Sequence, residues 1–381
     1  MDSRINRLQV SSCYLPLAQP ISDAKVLTGR QKPMTEVAML FVEMETADGQ
    51  RGLGLSYAKR AGGPGQFAHA CEVAPTLLGE DASDIGKLWD KLCWAGASVG
   101  RSGMATQAIG AFDVAMWDLK ARRAQLPLAK LLGAYRDSVP CYNTSGGFLH
   151  TPTEQLLVNA AASIERGIGG IKLKVGQPDG RLDLARLQAV RTHLGEGVAI
   201  MVDANQQWDR PTAQRMCRAF EPFNLVWIEE PLDAYDHEGH AALAQAFDTP
   251  IATGEMLTSA LEHAELIRHR AADWLMPDAP RVGGITPFLK IAAQAERIDE
   301  LDRRIRQRLV ERVETLTGGA SAVFSRLSDA ASTVSRAAVI SLPRRSSSSG
   351  DVIRSQAFMS ARATGSIAGA SSKLGVMMSF P

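Results

Sequence analysis

The sequence predicts an α/β protein in which an N-terminal α+β unit precedes a (β/α) barrel of the TIM type. Two observations carry this prediction. Strand and helix patterns alternate from residue 139 onward, and three acidic residues recur 26 residues apart at the ends of apolar runs. A repeat near this length is one strand plus one helix, and eight such units make a barrel of about 250 residues. The 381 residues leave room for two or three domains.

The first part of the chain combines a strand pattern with a long helix pattern. Residues 37–49 (VAMLFVEMETADG) alternate between apolar and polar side chains, as a half-buried strand does, and end in an Asp-Gly turn signal. Gly52, Gly54 and the stretch at 61–65 (AGGPG) predict loops. Apolar residues at helical spacing predict one helix over 107–132, which Gly133 ends.

Six apolar segments in the second part read as strands, with Ala- and Leu-rich helical stretches between them. Such alternation indicates a parallel sheet, and the number of units favours a barrel. The six segments are VPCYNTSGG, GGIKLKVG, AIMVDANQQW, LVWIEEPL, TPIATGEM and DWLMPDAP.

Asp203, Glu229 and Glu255 each follow an apolar run, so each is expected at the C-terminal end of a barrel strand. Three carboxylates that converge there suit a hard divalent ion, and Mg²⁺ is the ion we expect. The alternative is three unrelated acidic residues in loops, which the equal spacing disfavours.

Lys172 and Lys174 lie two residues apart in GGIKLKVG, so both ammonium groups should face the barrel mouth beside these carboxylates. The alternative is an edge strand with solvated lysines. A second cation and a metal would lower the pKa of a lysine and let it act as a base near neutral pH. Metal and base together predict proton abstraction next to a carboxylate.

Bulk composition excludes several classes of partner. The net charge of +1 argues against nucleic acid or an anionic membrane as the main partner. Five scattered cysteines form no CxxC pair and read as reduced thiols, and no apolar run approaches a membrane span. We therefore expect a cytoplasmic location.

Residues 297–381 differ from the rest of the chain in composition and in hydrophobic pattern. A charged amphipathic helix is predicted at 298–317, followed by a low-complexity segment rich in Ser and Arg with weak strands near 337–342 and 374–378. This composition tends toward disorder. An RNA-binding arm is disfavoured because the segment has no His, Trp or Tyr to interleave with its arginines.

From about residue 20 to 295 the chain resembles the enolase superfamily, mandelate racemase subgroup. The motifs that carry the resemblance are SDAKVLTGRQKP, SYAKRAGG, WAGASVGRSGM, CYNTSGGFLHTP, GIGGIKLKVGQP, VDANQQWDR, WIEEPLDAYD, IATGEMLTS and PDAPRVGGITPFLKI. The resemblance implies an α+β capping domain at 1–135 and a (β/α) barrel domain of enolase type at 136–296, with a tail outside the family at 297–381. Enzymes of this superfamily pair a lysine or histidine base with Mg²⁺, so the resemblance implies the same pairing here.

The resemblance also implies roles for single residues. Asp203, Glu229 and Glu255 would hold Mg²⁺, Lys174 would be the base on one face of the substrate, and Lys172 would contact the substrate carboxylate. Asn205 would face the substrate as well.

Asp23, Lys25, Lys59 and Arg60 would meet the distal end of a diacid, although Lys59 and Arg60 taken alone read as a solvated surface pair. The implied activity is a carbon-oxygen lyase, an acid-sugar dehydratase that acts on aldarates such as galactarate or L-talarate. The implied assembly is a homo-oligomer.

Asp278 should orient a histidine base on the opposite face, but the last histidine of the chain is His269 and the next strand has no match. We therefore expect an incomplete barrel with exposed sheet edges, poor solubility and impaired dehydration. Alternatives are another epimerase or acid-sugar dehydratase, a catalytically dead product of a shifted reading frame, or a genuine replacement domain.

Overall fold

The computed structural model describes residues 2–134, 136–144 and 147–296, and the backbone of residues 336–341. The N-terminal unit contains three long antiparallel strands, β1 (Ile5–Ile21), β2 (Met34–Thr46) and β3 (Arg51–Lys59). The prediction of a strand over 37–49 is confirmed by β2, and Gly49 turns the hairpin to β3 with a φ of 79°. The sequence reading missed β1 as a strand.

Gly52 and Gly54 lie in β3, so the prediction that they mark loops is wrong. A Cβ at either position would collide with the backbone carbonyl of Ala115 or Ala111 on the helix that crosses the sheet. These glycines therefore allow a helix to pack closely on a strand, which a pattern of chain breakers does not reveal.

Five helices cover this sheet and its loops: α1 (Ala24–Leu27), α2 (Gly63–Val73), α3 (Ile85–Ala95), α4 (Gly103–Ala124) and α5 (Leu128–Leu131). Short 3₁₀ turns lie at Ala74–Leu77, Ala97–Val99 and, in the second unit, Glu221–Phe223. The single helix predicted over 107–132 is two helices, because Gln125 takes a left-handed φ of 54° and Pro127 follows it. The stretch at 61–65 is only partly a loop, since α2 begins at Gly63.

The second unit is a parallel sheet whose six strands follow chain order. They are β4 (Tyr142–Asn143), β5 (Gly170–Lys174), β6 (Ala199–Asp203), β7 (Ile228–Glu229), β8 (Ile251–Thr253) and β9 (Trp274–Leu275). The helices are α6 (Thr153–Glu165), α7 (Gly180–Leu194), α8 (Arg210–Phe220), α9 (His237–Ala246), α10 (Ala260–Arg268) and α11 (Ile285–Ala295). This parallel half-barrel confirms the predicted fold class, including its incompleteness, and β4 and β9 stand at its edges.

The two units are joined by hydrogen bonds at the start of α11. The indole of Trp89 donates to the carbonyl of Gly283 at 2.8 Å, and the indole of Trp117 donates to Thr286 Oγ1 at 2.9 Å. The fully buried carboxyl of Asp113 accepts from the backbone N–H of Thr286 at 2.9 Å and from its hydroxyl at 2.5 Å. These contacts fix the first unit on the last helix of the half-barrel.

Part of the tail returns to the N-terminal sheet. Residues Arg336–Ser341 form β10, which pairs antiparallel with β1 from Arg7 to Ser12, in agreement with the weak strand expected near 337–342. The helix predicted at 298–317 and the strand predicted at 374–378 lie outside the described residues. The division of the chain at 135 and 297 stays a prediction. Within the described ranges, each helix is too short or too polar to span a lipid bilayer.

Candidate functional site

Five of the predicted site residues come together at one edge of the parallel sheet. Lys172 and Lys174 lie in β5, Asp203 ends β6, Glu229 ends β7, and Glu255 follows β8 by two residues. In the strand register Lys174 lies beside Asp203, and Asp203 lies beside Glu229. The 26-residue interval thus places each acid at the carboxyl end of consecutive neighbouring strands.

The lysines and carboxylates form a buried ion-pair network. Lys172 Nζ lies 3.0 Å from both carboxylate oxygens of Glu229 and 3.4 Å from Asp203 Oδ2. Lys174 Nζ donates to the same Asp203 oxygen at 2.5 Å. The indole N–H of Trp227 adds a further donor to Glu229 at 3.0 Å. Each charge in this network is therefore held by an opposite charge, as burial requires.

Glu255 is the third predicted carboxylate, and none of the ion pairs of this network includes it. Its side chain is only 4 % exposed, and its Oε2 atom is buried without a hydrogen-bond partner among the described residues. Hard oxygen donors at three consecutive strand ends, one of them without a partner, fit a divalent cation in their chemistry. As arranged, however, no group of three or more His, Cys, Asp or Glu side chains in the described ranges could hold a metal ion. Ammonium groups join Asp203 and Glu229, so the metal assignment stays a prediction.

The pKa of each lysine follows from this network. Burial alone would lower the pKa of Lys172, but Glu229 and Asp203 outweigh burial and raise it well above 10.5. Burial also opposes the charge of Lys174, yet Asp203 raises its pKa. In this network the carboxylates act more strongly on Lys174 than the neighbouring ammonium does, and the lowered pKa expected beside a bound metal stays a prediction. Burial disfavours the Asp203 carboxylate, but the two lysines lower its pKa to about 2.

The loop after β6 supplies Asn205, and its Gln206 contacts Glu230, a buried acid after β7 that the sequence analysis did not predict. The backbone N–H of Asn205 donates to Asp203 Oδ1 at 2.8 Å, which turns that carboxylate toward the loop. Gln206 donates from its amide to Glu230 Oε1 at 2.9 Å. Glu230 is fully buried beside Glu229, and only the doubled acid in WIEEPL could have signalled it.

Asp278 lies on the far side of the same edge, after β9. Its Oδ2 accepts from the hydroxyl of Tyr57 at 2.8 Å, and its Oδ1 accepts from the backbone N–H of Arg281 at 3.0 Å. Tyr57 belongs to β3 of the N-terminal unit, 221 residues away, and the sequence reading missed it. Burial lowers the pKa of Lys59. The nearby carboxylates of Glu255 and Asp278 act in the opposite direction but do not outweigh burial.

Of the remaining predicted residues, Asp23 and Lys25 lie at the start of α1, and Arg60 directly follows β3. Arg60 Nη2 donates to Asp23 Oδ2 at 2.8 Å, and Asp23 caps α1 by accepting from the backbone N–H of Lys25 at 3.0 Å. A Cβ added to Gly176 would lie 3.1 Å from the Cβ of Ala24, so the start of α1 presses on the end of β5. Arg60 is therefore paired and largely covered rather than solvated.

Comparison with protein families matches both units of the chain. Residues 24–133 match the family described as mandelate racemase / muconate lactonizing enzyme, N-terminal domain. Residues 155–299 match the family described as enolase C-terminal domain-like. The two matches together follow the order of the units in the fold.

Individual relatives agree with these matches. L-talarate/galactarate dehydratase of Salmonella typhimurium is 67% identical over 288 residues, which are 76% of this chain and 72% of that protein. The structure of L-talarate dehydratase from Polaromonas sp. JS666, complexed with Mg and L-glucarate, is 82% identical with a TM-score of 0.75 and covers 77% of this chain and 79% of that chain. The structure of the S. typhimurium protein liganded with Mg and L-lyxarohydroxamate is 66% identical with a TM-score of 0.76, covering 77% and 75%.

Proposed function

The chain belongs to the mandelate racemase / muconate lactonizing enzyme family, and from this premise we propose that it is a Mg²⁺-dependent acid-sugar dehydratase. We propose aldarates of the galactarate and L-talarate type as its substrates. The observation that carries the proposal is the set of buried carboxylates and lysines at the ends of β5 to β8, in a chain 67% identical to an L-talarate/galactarate dehydratase.

Asp203, Glu229 and Glu255 would hold the metal. Their oxygens suit Mg²⁺, and the orphaned oxygen of Glu255 is a ligand atom that has no other use in the described residues. When the cation binds, its positive charge would neutralise the carboxylates of Asp203 and Glu229. The ammonium groups of Lys172 and Lys174 would then move away from these carboxylates. Bound Mg²⁺ supplies positive charge that stabilises negative charge developing on the substrate carboxylate.

Lys174 would remove the proton next to that carboxylate. Its amine is buried at the end of β5, where a substrate held at the sheet edge would lie within reach. Lys172 and Asn205 would bind the same carboxylate and fix its orientation. The β-hydroxyl would then leave and take up a proton, so that the α-proton and the hydroxide together account for one lost water. The enol that remains would tautomerise to a keto-deoxy diacid.

Lys25, Lys59 and Arg60, with Asp23 holding Arg60, would meet the distal carboxylate of the substrate. A diacid needs positive charge at both ends, and these cations come from α1 and from the end of β3 in the N-terminal unit. Their contribution would appear mainly in substrate affinity rather than in the chemical step.

The opposite face supports a second candidate function, binding of Mg²⁺ and aldarate with little turnover. Asp278 is bonded to Tyr57 rather than to a histidine, and no histidine follows His269 in the sequence. If the departing hydroxyl depends on a histidine acid, dehydration would be about 10²–10⁴-fold slower than with that acid in place. Another epimerase or acid-sugar dehydratase remains the alternative within the family.

We further propose that the chain works in the cytoplasm as a homo-oligomer, with a small diacid rather than nucleic acid or membrane as its partner. A net charge of +1 does not favour binding to a polyanion such as nucleic acid or an anionic membrane.

The test is an assay of the purified chain with a panel of aldarates and aldonates at saturating Mg²⁺. The proposal predicts a semicarbazide-reactive keto product from galactarate or L-talarate, abolished by chelation of the metal and by Lys174→Ala. Mg²⁺-dependent aldarate binding without product would support the second candidate. Epimerised substrate without a keto product would contradict dehydration, and absence of both binding and turnover would contradict both candidates.

A further inference from the structure

The loops after β6 and β7 stay hydrogen-bonded beyond the ends of their strands. The backbone N–H of Ala204 donates to the carbonyl of Glu229 at 3.0 Å, and that of Gln206 donates to the carbonyl of Glu230 at 2.8 Å. The N–H of Trp208 then reaches the carbonyl of Pro231 at 3.3 Å. The loop that follows Asp203 is therefore tied to the loop that follows Glu229.

The side chain of Gln206 strengthens this connection with both ends of its amide. Its Nε2 donates to Glu230 Oε1 at 2.9 Å, while its Oε1 accepts from the backbone N–H of Ala234 at 3.2 Å. One side chain thus bridges two points of the neighbouring loop. We call the pair of Gln206 and Glu230 the loop strap.

The strap also holds backbone that would otherwise relax. Asn205, Gln206 and Glu230 have φ angles of 47°, 63° and 42°, in the left-handed region that non-glycine residues rarely adopt. A residue with a side chain is strained in this region and keeps the conformation only when its surroundings fix it. All three lie within three residues of Asp203 or Glu229, and Glu230 is fully buried.

We propose that Gln206 is a positioning residue for the metal site, acting through the loop strap to keep the Asp203 and Glu229 carboxylates at one sheet edge. The proposal rests on the proposed function, because it takes these carboxylates as metal ligands. The amide of Gln206 bonds to Glu230 and Ala234 and not to the carboxylate of Asp203 or Glu229. Its influence on those two carboxylates therefore passes through the backbone of the two loops. Groups that hydrogen-bond metal ligands directly change metal affinity by about 10–100-fold, and we expect the lower end of this range for a residue that acts through the backbone.

Two substitutions at Gln206 separate positioning from general stability. Gln206→Met keeps the length of the side chain and removes both amide hydrogen bonds. Gln206→Gly removes them too but relieves the left-handed φ of 63°, so stability in the absence of metal should hold or rise. The matched control is Gln188→Ala on α7, which removes an exposed glutamine amide bonded to Thr192 Oγ1 at 3.0 Å.

The measurements are Mg²⁺ affinity by titration calorimetry and the unfolding midpoint without Mg²⁺. We expect both Gln206 variants to bind Mg²⁺ at least about tenfold more weakly than the unsubstituted chain and the Gln188 variant. Unchanged affinity in a folded Gln206 variant overturns the inference, whatever happens to the midpoint. If Gln206→Met does not fold, the Mg²⁺ affinity of Gln206→Gly tests the inference. A chain that binds no Mg²⁺ before any substitution overturns the proposed function and this inference together.

Discussion

The two faces of the candidate site are built in different ways. The Lys174 face comes from consecutive strand ends between residues 172 and 255, where Lys172 and Lys174 pair with Glu229 and Asp203 and one oxygen of Glu255 has no hydrogen-bond partner among the described residues. The Asp278 face depends on Tyr57 from the other unit and lies next to the end of the described half-barrel. The first face can form within the half-barrel alone, whereas the second requires the two units to dock.

The largest expected effect contrasts the faces directly. Lys174→Ala should reduce turnover, or exchange of the substrate α-proton with solvent deuterium, by about 10²–10⁴-fold because it removes the base. Asp278→Asn should reduce the same rate far less, since among the described residues Asp278 bonds to Tyr57 and Arg281 rather than to a histidine. Exchange followed by NMR measures both variants. Equal losses would show that the two faces share the chemistry.

Within the Lys174 face, paired and unpaired carboxylates should differ in stability without metal. Asp203→Asn leaves buried ammonium groups less compensated and should lower the free energy of unfolding by about 3–5 kcal/mol. Glu255→Gln removes no ion pair that the described residues show and should cost much less. Denaturant titration in a chelator compares them, and both should lose Mg²⁺ binding. A Glu255 variant as unstable as the Asp203 variant would contradict the ion-pair network.

Docking of the units should depend on pH through Asp113. Burial raises the pKa of this carboxyl from 3.8 to about 7, although hydrogen bonds from Thr286 act in the opposite direction. The folded chain then binds a proton that the unfolded chain has released, so stability falls as the pH rises from about 4 to 7. The slope is at most about 1.4 kcal/mol per pH unit. In Asp113→Asn the same denaturation series should lose this component of the slope, and an unchanged slope would rule out Asp113 as its origin.

A smaller effect should isolate the contact between the units at Asp278. Tyr57→Phe removes one hydroxyl and leaves a buried carboxylate oxygen short of a donor, which should lower the free energy of unfolding by about 1–3 kcal/mol. Proton exchange by Lys174 should stay within about twofold, because that face does not use Tyr57. Tyr14→Phe, at a more exposed tyrosine of β1, is the matched control for loss of a hydroxyl. A large fall in exchange would mean that the faces are coupled.

The sequence predicted the half-barrel well because its strands are short apolar runs between amphipathic helices. All six strands occur in the predicted segments, and equal spacing sufficed to find Asp203, Glu229 and Glu255 at one edge. These features are local or periodic along the chain, so one sequence reveals them.

The features that escaped prediction arise from contacts between distant segments. Gly52 and Gly54 look like chain breakers until α4 is packed on them, and Tyr57 meets Asp278 only after the units dock. The raised pKa of Lys174 depends on side-chain distances to Asp203 that spacing does not give. Tertiary proximity, rather than local pattern, determines each of them.

The most direct test of the account is the anomalous diffraction signal of crystals soaked in Mn²⁺, a scattering substitute for Mg²⁺. The account predicts one peak per chain within about 2.5 Å of side-chain oxygens from Asp203, Glu229 and Glu255, with the lysine ammonium groups moved off the first two. A saturating soak that gives no peak at the ends of β6, β7 and β8, or places the ion on other residues, would contradict it.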